Sequence, residues 1–211
     1  MVKAILFDFW GTLAENGARN PTKGTLFILR IQQEYKDFIV PFEEIFFAKD
    51  YATQEEAFTA VCEHFGVRPL PIVISKLVGL WNKNKLFAIP YPDTKETLQM
   101  LKDKGIKLAI VSNANKGAVE DVIAKHDLAG YFDAVVISYQ HGVLKQDGEL
   151  YKIALKELKV PVKDALVVGD SLETDIKGAD AAGIKAVLVD RRNTREYANK
   201  IAELKEIEKF L

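Results

Sequence analysis

The chain has 211 residues, of which 48% are hydrophobic and 28% charged, and its formal net charge is -1. This composition excludes disordered and fibrous classes and leaves room for one large core or a main domain with a smaller insertion; without a basic excess, nucleic acid is not an expected partner. No apolar run approaches the ~20 residues that span a bilayer, so the expectation is a cytoplasmic protein, monomer or homodimer, with no membrane partner.

The first element is an apolar run, Ala4-Ile5-Leu6-Phe7, that reads as a strand and is followed at once by Asp8-Phe9-Trp10-Gly11-Thr12. Residues 14–90 carry helical stretches at 22–37, 41–48, 53–65 and 72–85 with no convincing strand, which predicts an all-helical insertion. Its lone Cys62, flanked by Ala60, Val61 and Phe65, reads as a buried thiol, and Pro90-Tyr91-Pro92 as a hinge out of the insertion. Strands at 107–111, 134–137, 165–168 and 186–189 then alternate with helices at 94–104, 116–126, 149–158 and 174–182, before a terminal helix at 201–211. Short, continuously apolar strands separated by helices predict a parallel sheet covered on both faces. The expected class is α/β, a Rossmann-like core of residues 1–13 and 91–211 with a smaller helical domain at 14–90.

In such sheets ligands sit beyond the carboxyl ends of the strands. The residues there are Asp8, then Ser112 and Asn113, then Lys145 in a loop, then Gly169-Asp170-Ser171 with Asp175 close behind. Singly, each has an ordinary reading as a helix cap, a turn residue or a solvated lysine. Together they place carboxylates, a hydroxyl and an ammonium at one edge of one sheet, a charge cluster that calls for a ligand or a metal. Other signals are weaker. Gly178 and Gly183 have the spacing of a phosphate-binding loop, but Ile184 stands where its lysine belongs, so helix packing explains them. There is no serine-hydrolase elbow, zinc helix or paired cysteine motif, and His64, His126 and His141 are dispersed.

In order and spacing, Asp8-Phe9-Trp10-Gly11-Thr12, Ser112-Asn113, Lys145 and Gly169-Asp170-Ser171 with Asp175 resemble the four motifs of the haloacid dehalogenase-like hydrolase superfamily. The resemblance implies that residues 14–90 form a cap, that Asp8 is a nucleophile, and that the substrate is a small phosphorylated metabolite. It further implies Mg²⁺ held by Asp8, Asp170 and the main-chain carbonyl of Trp10, with Thr12, Ser112, Asn113 and Lys145 around the phosphoryl oxygens. Asp175 and Ser171 would stand behind them, Asp175 orienting Lys145 or a metal-bound water, while Gly11 and Gly169 allow close backbone approach.

Two positions depart from the pattern. Phosphatases of the superfamily usually carry a second aspartate where this chain has Trp10, and that aspartate protonates the leaving group; indole cannot, and general acid–base catalysis is typically worth about 10²–10⁴-fold. Three readings follow: a phosphatase confined to good leaving groups or borrowing an acid from the cap or water, a metal-independent 2-haloacid dehalogenase, and a binding protein without turnover. Gln146 replaces a usual proline after the lysine, which predicts a less firmly aimed Lys145. Within the insertion, Asn16, Arg19, Lys23, Asn82, Lys83 and Lys85 are the polar candidates for substrate contact, and Trp81 with Phe42, Phe46 and Phe47 reads as core rather than as a binding box.

Overall fold

The computed structural model describes residues 1–211. In chain order the elements are β1 (Ala4–Phe7), β2 (Ala14–Glu15), α1 (Pro21–Leu29), α2 (Tyr35–Phe46), α3 (Gln54–His64), α4 (Pro71–Leu86), β3 (Ile89–Pro90), α5 (Thr94–Asp103), β4 (Lys107–Ser112) and α6 (Glu120–Lys125). There follow β5 (Ala134–Ile137), α7 (Ser138–His141), α8 (Glu149–Leu158), β6 (Ala165–Gly169), α9 (Lys177–Ala181), β7 (Lys185–Val189) and β8 (Lys200–Ile201).

The six-stranded sheet is ordered β5-β4-β1-β6-β7-β8, and every neighbouring pair is parallel. The inner stretches of its central strands are continuously apolar because both faces are covered. Alternation along β1 divides the core: Ile5 and Phe7 join Leu108, Ile110, Leu166 and Val168 on one face, whereas Ala4 and Leu6 join Ala109, Val111, Ala165 and Val167 on the other. The chain leaves the central β1 for β4 and β5 on one side, then crosses to β6 and goes on to β7 on the other, so the connections leaving β1 and β6 run apart at a switch point. That switch point is where a crevice opens.

Helices α1 to α4 enclose a third apolar cluster, built on Phe38, Phe42, Phe46, Phe58, Leu77 and Trp81. The Phe46 ring lies 4.6 Å from that of Phe58 and 4.8 Å from Trp81, so aromatic contact dominates this cluster. Cys62 is fully buried there, as expected. No helix is long and apolar enough to cross a membrane.

Several boundaries differ from the sequence reading. The helix expected over 22–37 stops at Leu29, because Arg30 takes a left-handed conformation (φ 54°) and its N–H turns back to the carbonyls of Leu26 and Phe27. Conversely α2 runs through Pro41, with Phe38 and Phe42 buried on either side of it; their burial outweighs the proline's missing donor. Of the stretch 116–126 only Glu120–Lys125 is α-helical, since Gly117 at φ +73° interrupts the first turn. The helix expected over 174–182 is preceded by a wide π-turn, Leu172–Ile176, and the terminal helix is a 3₁₀ segment, Leu204–Phe210, behind the short β8. Insertion and core are joined by a small antiparallel ribbon, β2 with β3, rather than by a free hinge.

Phe46→Ala should remove about 3–5 kcal/mol of stability, the usual cost of emptying a buried aromatic site. Urea unfolding followed by tryptophan fluorescence, with Trp81 in the same cluster as reporter, measures it.

Candidate active site

The site is built at the head of β1. Asp8 is 4% exposed, and its N–H donates to the carbonyl of Val168 on β6 (2.8 Å), which fixes the chain as it leaves the sheet. The following residues turn back tightly: the N–H groups of Leu13 and Ala14 both reach the carbonyl of Phe9. Gly11 makes that turn possible, at φ +84°, and a Cβ there would fall 2.4 Å from Asp170 Oδ2. Thus the residue that bends the first loop also admits the carboxylate at the end of β6. Thr12, in this loop, and Ser112, at the end of β4, are buried, and neither hydroxyl has a hydrogen-bond partner.

Lys145 is the cation of the site, 3% exposed and lining the cavity. Its Nζ donates to Asp8 Oδ1 and to Asp175 Oδ1, both at 2.6 Å. Asp175 is also held by the Tyr151 hydroxyl on α8 (3.2 Å) and, through Oδ2, by the Ser171 N–H (3.0 Å). The π-turn aims it inward, and a Cβ on Gly169 would collide with its carboxylate at 2.3 Å. Gly178 on α9 lies against the Lys145 carbonyl, where a Cβ would fall 2.2 Å away; its glycine serves close packing behind the lysine.

The loosened lysine expected from Gln146 is not observed. Asn113 Nδ2 donates to Gln146 Oε1 (3.1 Å), and the Lys145 N–H donates to Asn113 Oδ1 (2.9 Å), so the loop is pinned to the end of β4 without a proline. Asn113 lines the cavity, but both ends of its amide are engaged in that task.

Burial pushes the Asp8 carboxyl up to about 6 against the pull of Lys145. Asp170 goes up to about 7, first by burial and then by its neighbours Asp8 and Asp175. Burial works to neutralise Lys145, yet Asp175 and Asp8 raise it well above its ordinary value, so it stays an ammonium. Carboxylate oxygens of Asp8, Asp170 and Asp175 all lie within 4.8 Å of one another. Those of Asp175 are already bonded, whereas Asp8 Oδ2 is buried without a partner. Asp8 and Asp170 therefore present hard oxygen donors and excess negative charge, a set that fits Mg²⁺.

A cavity of about 430 Å³ lies between this group and the helices α1, α2 and α4. Of the polar candidates in the insertion, Asn16 and Lys85 line it, and Lys85 is paired with Asp121 at 2.5 Å. Arg19 and Asn82 line other recesses. The sequence reading missed Asn20, Tyr35, Glu43, Gln54 and Asn84, because nothing in a helix's sequence says which face meets a distant sheet edge. Trp81 and Phe47 belong to the aromatic cluster and also line the cavity, so they are core and wall at once. Trp10 lines it from below, its indole edge-on to Phe9 at 5.0 Å. His141 is exposed and outside the cavity lining.

Two arginines after β7 were also missed, although the rule of reading the residues beyond each strand would have reached them. Arg191 donates to the Thr12 carbonyl (3.0 Å) and pairs with Asp93; Arg195 donates to the Asp170 carbonyl and pairs with Asp190. Both brace main chain on the Asp170 side.

A parallel sheet whose switch point carries a buried aspartate, an ammonium and further carboxylates defines a Rossmann-like hydrolase. The chain belongs to the haloacid dehalogenase-like hydrolase family, whose sequence model matches residues 2–183. It is 28% identical over 200 residues to the glyceraldehyde 3-phosphate phosphatase of Methanopyrus kandleri, covering 90% of this chain and 85% of that one. It is also 29% identical over 138 residues to the (S)-2-haloacid dehalogenase H-109 of Pseudomonas putida, over 65% of this chain and 59% of the relative. The structure of a HAD phosphatase from Thermococcus onnurineus superposes with a TM-score of 0.68 over 99% of this chain and 97% of that one; at 24% identity this is a likeness of fold.

Asp8, Asp170 and Glu43 keep their protons when folded at pH values where the unfolded chain has lost them, because burial raises all three to about 6–7. Metal-free stability should therefore fall as pH rises from about 4 to about 7 and level off above. Mg²⁺ held by Asp8 and Asp170 would compete with protons there, so it should raise Tm more at pH 8 than at pH 5. Thermal melts with EDTA or Mg²⁺ at the two pH values check both signs.

Proposed function

We propose that the protein is a Mg²⁺-dependent phosphohydrolase of small phosphorylated metabolites that works through an aspartyl-phosphate on Asp8. The observation that carries this reading is the pattern of satisfied and unsatisfied groups at the head of β1. The Lys145 ammonium is bonded to two carboxylates, while Asp8 Oδ2, Thr12 Oγ1 and Ser112 Oγ are buried and unpartnered. Unpaired buried polar atoms are costly; Asp8 lines the cavity, while the two hydroxyls stand in the adjoining first loop and at the end of β4, and this grouping supports a ligand there. A phosphoryl group and a cation match them: hydroxyl donors for phosphoryl oxygens and a carboxylate oxygen for the metal.

Asp8, Asp170 and the main-chain carbonyl of Trp10 would hold Mg²⁺, which when bound supplies positive charge against the phosphoryl oxygens. In the first half-reaction an Asp8 carboxylate oxygen attacks phosphorus, and the bond from phosphorus to the leaving oxygen breaks with its electron pair on that oxygen. Thr12 and Ser112 donate to the phosphoryl oxygens, while Lys145 offsets the charge gathered around Asp8. Asp175, steadied by Tyr151 and Ser171, keeps the ammonium in place. Water then attacks the aspartyl-phosphate, releases phosphate and restores Asp8.

Residues 14–90 act as a cap that covers the cavity, excludes bulk water and selects the substrate. A volume of about 430 Å³ suits a small metabolite, and the Methanopyrus kandleri relative carries the name glyceraldehyde 3-phosphate phosphatase. The dehalogenase reading has Trp10 and the Pseudomonas putida relative in its favour. Asp170 opposes it, because a second carboxyl group clustered with Asp8 offers oxygen donors for a metal that a metal-independent displacement does not use.

Phosphate release from an aryl phosphate should require Mg²⁺ and fall to background in Asp8→Asn. Trp10→Asp should speed hydrolysis of alkyl phosphates by up to about 10²–10⁴-fold, the usual worth of a positioned acid. Metal-independent chloride release from 2-chloropropionate, without phosphate release from any ester, would replace the phosphatase with a dehalogenase.

A further inference from the structure

Expelling an alkoxide from phosphorus at neutral pH needs a proton donor within the closed site, and the group next to the nucleophile loop, the Trp10 indole, cannot exchange one. The side chains lining the cavity that can are few: Asp8, Asp170, Asp175 and Lys145 on the sheet side, and Tyr35, Glu43 and Lys85 on the helical side. The first four are occupied. Asp8 is the nucleophile, Asp170 faces the cation site, and Asp175 and Lys145 are bonded to each other, with Tyr151 and Ser171 on Asp175. Lys85 is paired with Asp121. Tyr35 is a phenol that burial raises above its already high value, a poor match for neutral pH.

Glu43 remains. It stands on α2 between the buried residues Phe42 and Phe46, so the packing that anchors the helix also fixes where its carboxyl enters the cavity. Beneath it are Asn113 and Lys145, the residues that pin and charge the phosphoryl side of the site. We propose that Glu43 is the proton carrier of the reaction, supplied by the helical layer in place of the residue that Trp10 displaces. This assignment rests on the phosphohydrolase reading above.

In the first half-reaction the Glu43 carboxyl gives its proton to the leaving oxygen as the phosphorus–oxygen bond breaks and Asp8 bonds to phosphorus. In the second, the Glu43 carboxylate takes a proton from the water that attacks phosphorus; the bond from Asp8 to phosphorus breaks, and both side chains return to their starting forms. Burial sets the carboxyl at about 7, opposed by Lys145 and reinforced by Asp175, so at neutral pH both its forms are populated. The other charged or titratable groups lining the cavity are six, Tyr35 and Lys85 on its own side and Asp8, Lys145, Asp170 and Asp175 facing it. The placement also makes catalysis depend on the helical layer being closed, because the acid and the nucleophile belong to different cores.

The test compares glycerol phosphate, a poor leaving group, with p-nitrophenyl phosphate, a good one, using the full chain with Mg²⁺. Glu43→Gln keeps the size of the side chain and removes the exchangeable proton. Its loss of kcat/KM on glycerol phosphate should exceed its loss on p-nitrophenyl phosphate by about 10²-fold or more, with the larger part in kcat. The wild-type limb near pH 7 on glycerol phosphate should vanish in the variant. Placing Trp10→Asp in the Glu43→Gln background should restore much of the alkyl activity, which a misfolded variant could not do. Equal losses on the two esters, a change confined to KM, or failure of the second substitution to restore activity would overturn the role of Glu43. Retained, Asp8-dependent turnover of p-nitrophenyl phosphate would then leave the phosphohydrolase reading standing. Absence of phosphate release from both esters by the wild-type chain would overturn both.

Discussion

Everything at the site hangs on one buried ammonium. Lys145 lies between Asp8 and Asp175 with almost no exposure, and each contact is 2.6 Å. Burial alone would neutralise the ammonium, and the two carboxylates beside it hold it charged, while Lys145 in turn opposes the upward push of burial on Asp8. The triad carries one negative charge more than its ammonium offsets, and the oxygens of Asp170 lie close by, a donor set that suits a cation. An arrangement that stores so much charge is poor evidence of stability and good evidence of use.

Much of the surrounding structure serves to hold that lysine. Asn113 and Gln146 fasten its loop to the end of β4, Gly178 lets α9 press against its carbonyl, and the π-turn before α9 delivers Asp175. On the other side of the nucleophile, Gly11 allows the first loop to bend and leaves room for Asp170 in the same stroke. These are close approaches of backbone to side chain, and a single Cβ at any of three glycines would break them. The site therefore tolerates little change in its loops even though the sheet beneath it accepts any well-packed aliphatic set.

The division of labour between the two layers follows from what each can supply. The sheet's carboxyl edge offers rigid anchors for Asp8 and Asp170, at positions set by strand register. The helical layer offers a wall of aromatic and polar side chains, including Trp81, Asn84 and Glu43, whose approach depends on how that layer rests on the core. Trp10 sits where the two meet. Its indole adds apolar wall beside Phe9 and removes a proton donor from the sheet side, which transfers that requirement to whatever the helices bring.

The sequence by itself determined the sheet and the charge at its edge. Apolar runs of four to six residues, each ending in a polar residue, identify β1, β4 and β6, and they identify Asp8, Ser112 and Asp170 at the same time, because a buried strand and its ligand-facing end are local patterns. Helix limits in the insertion were less legible, since a left-handed Arg30 and a proline accommodated within α2 are outcomes of aromatic packing that residue preferences do not foresee. What only the tertiary structure decided is which side chains from afar complete the site. Tyr151 on Asp175, Arg191 and Arg195 on the loop carbonyls, and Glu43 over Asn113 and Lys145 lie 24 to 179 residues from their partners where a direct bond is made. No local pattern marks them, because what makes each one functional is the face it presents, and that face is chosen by the packing of one layer on another.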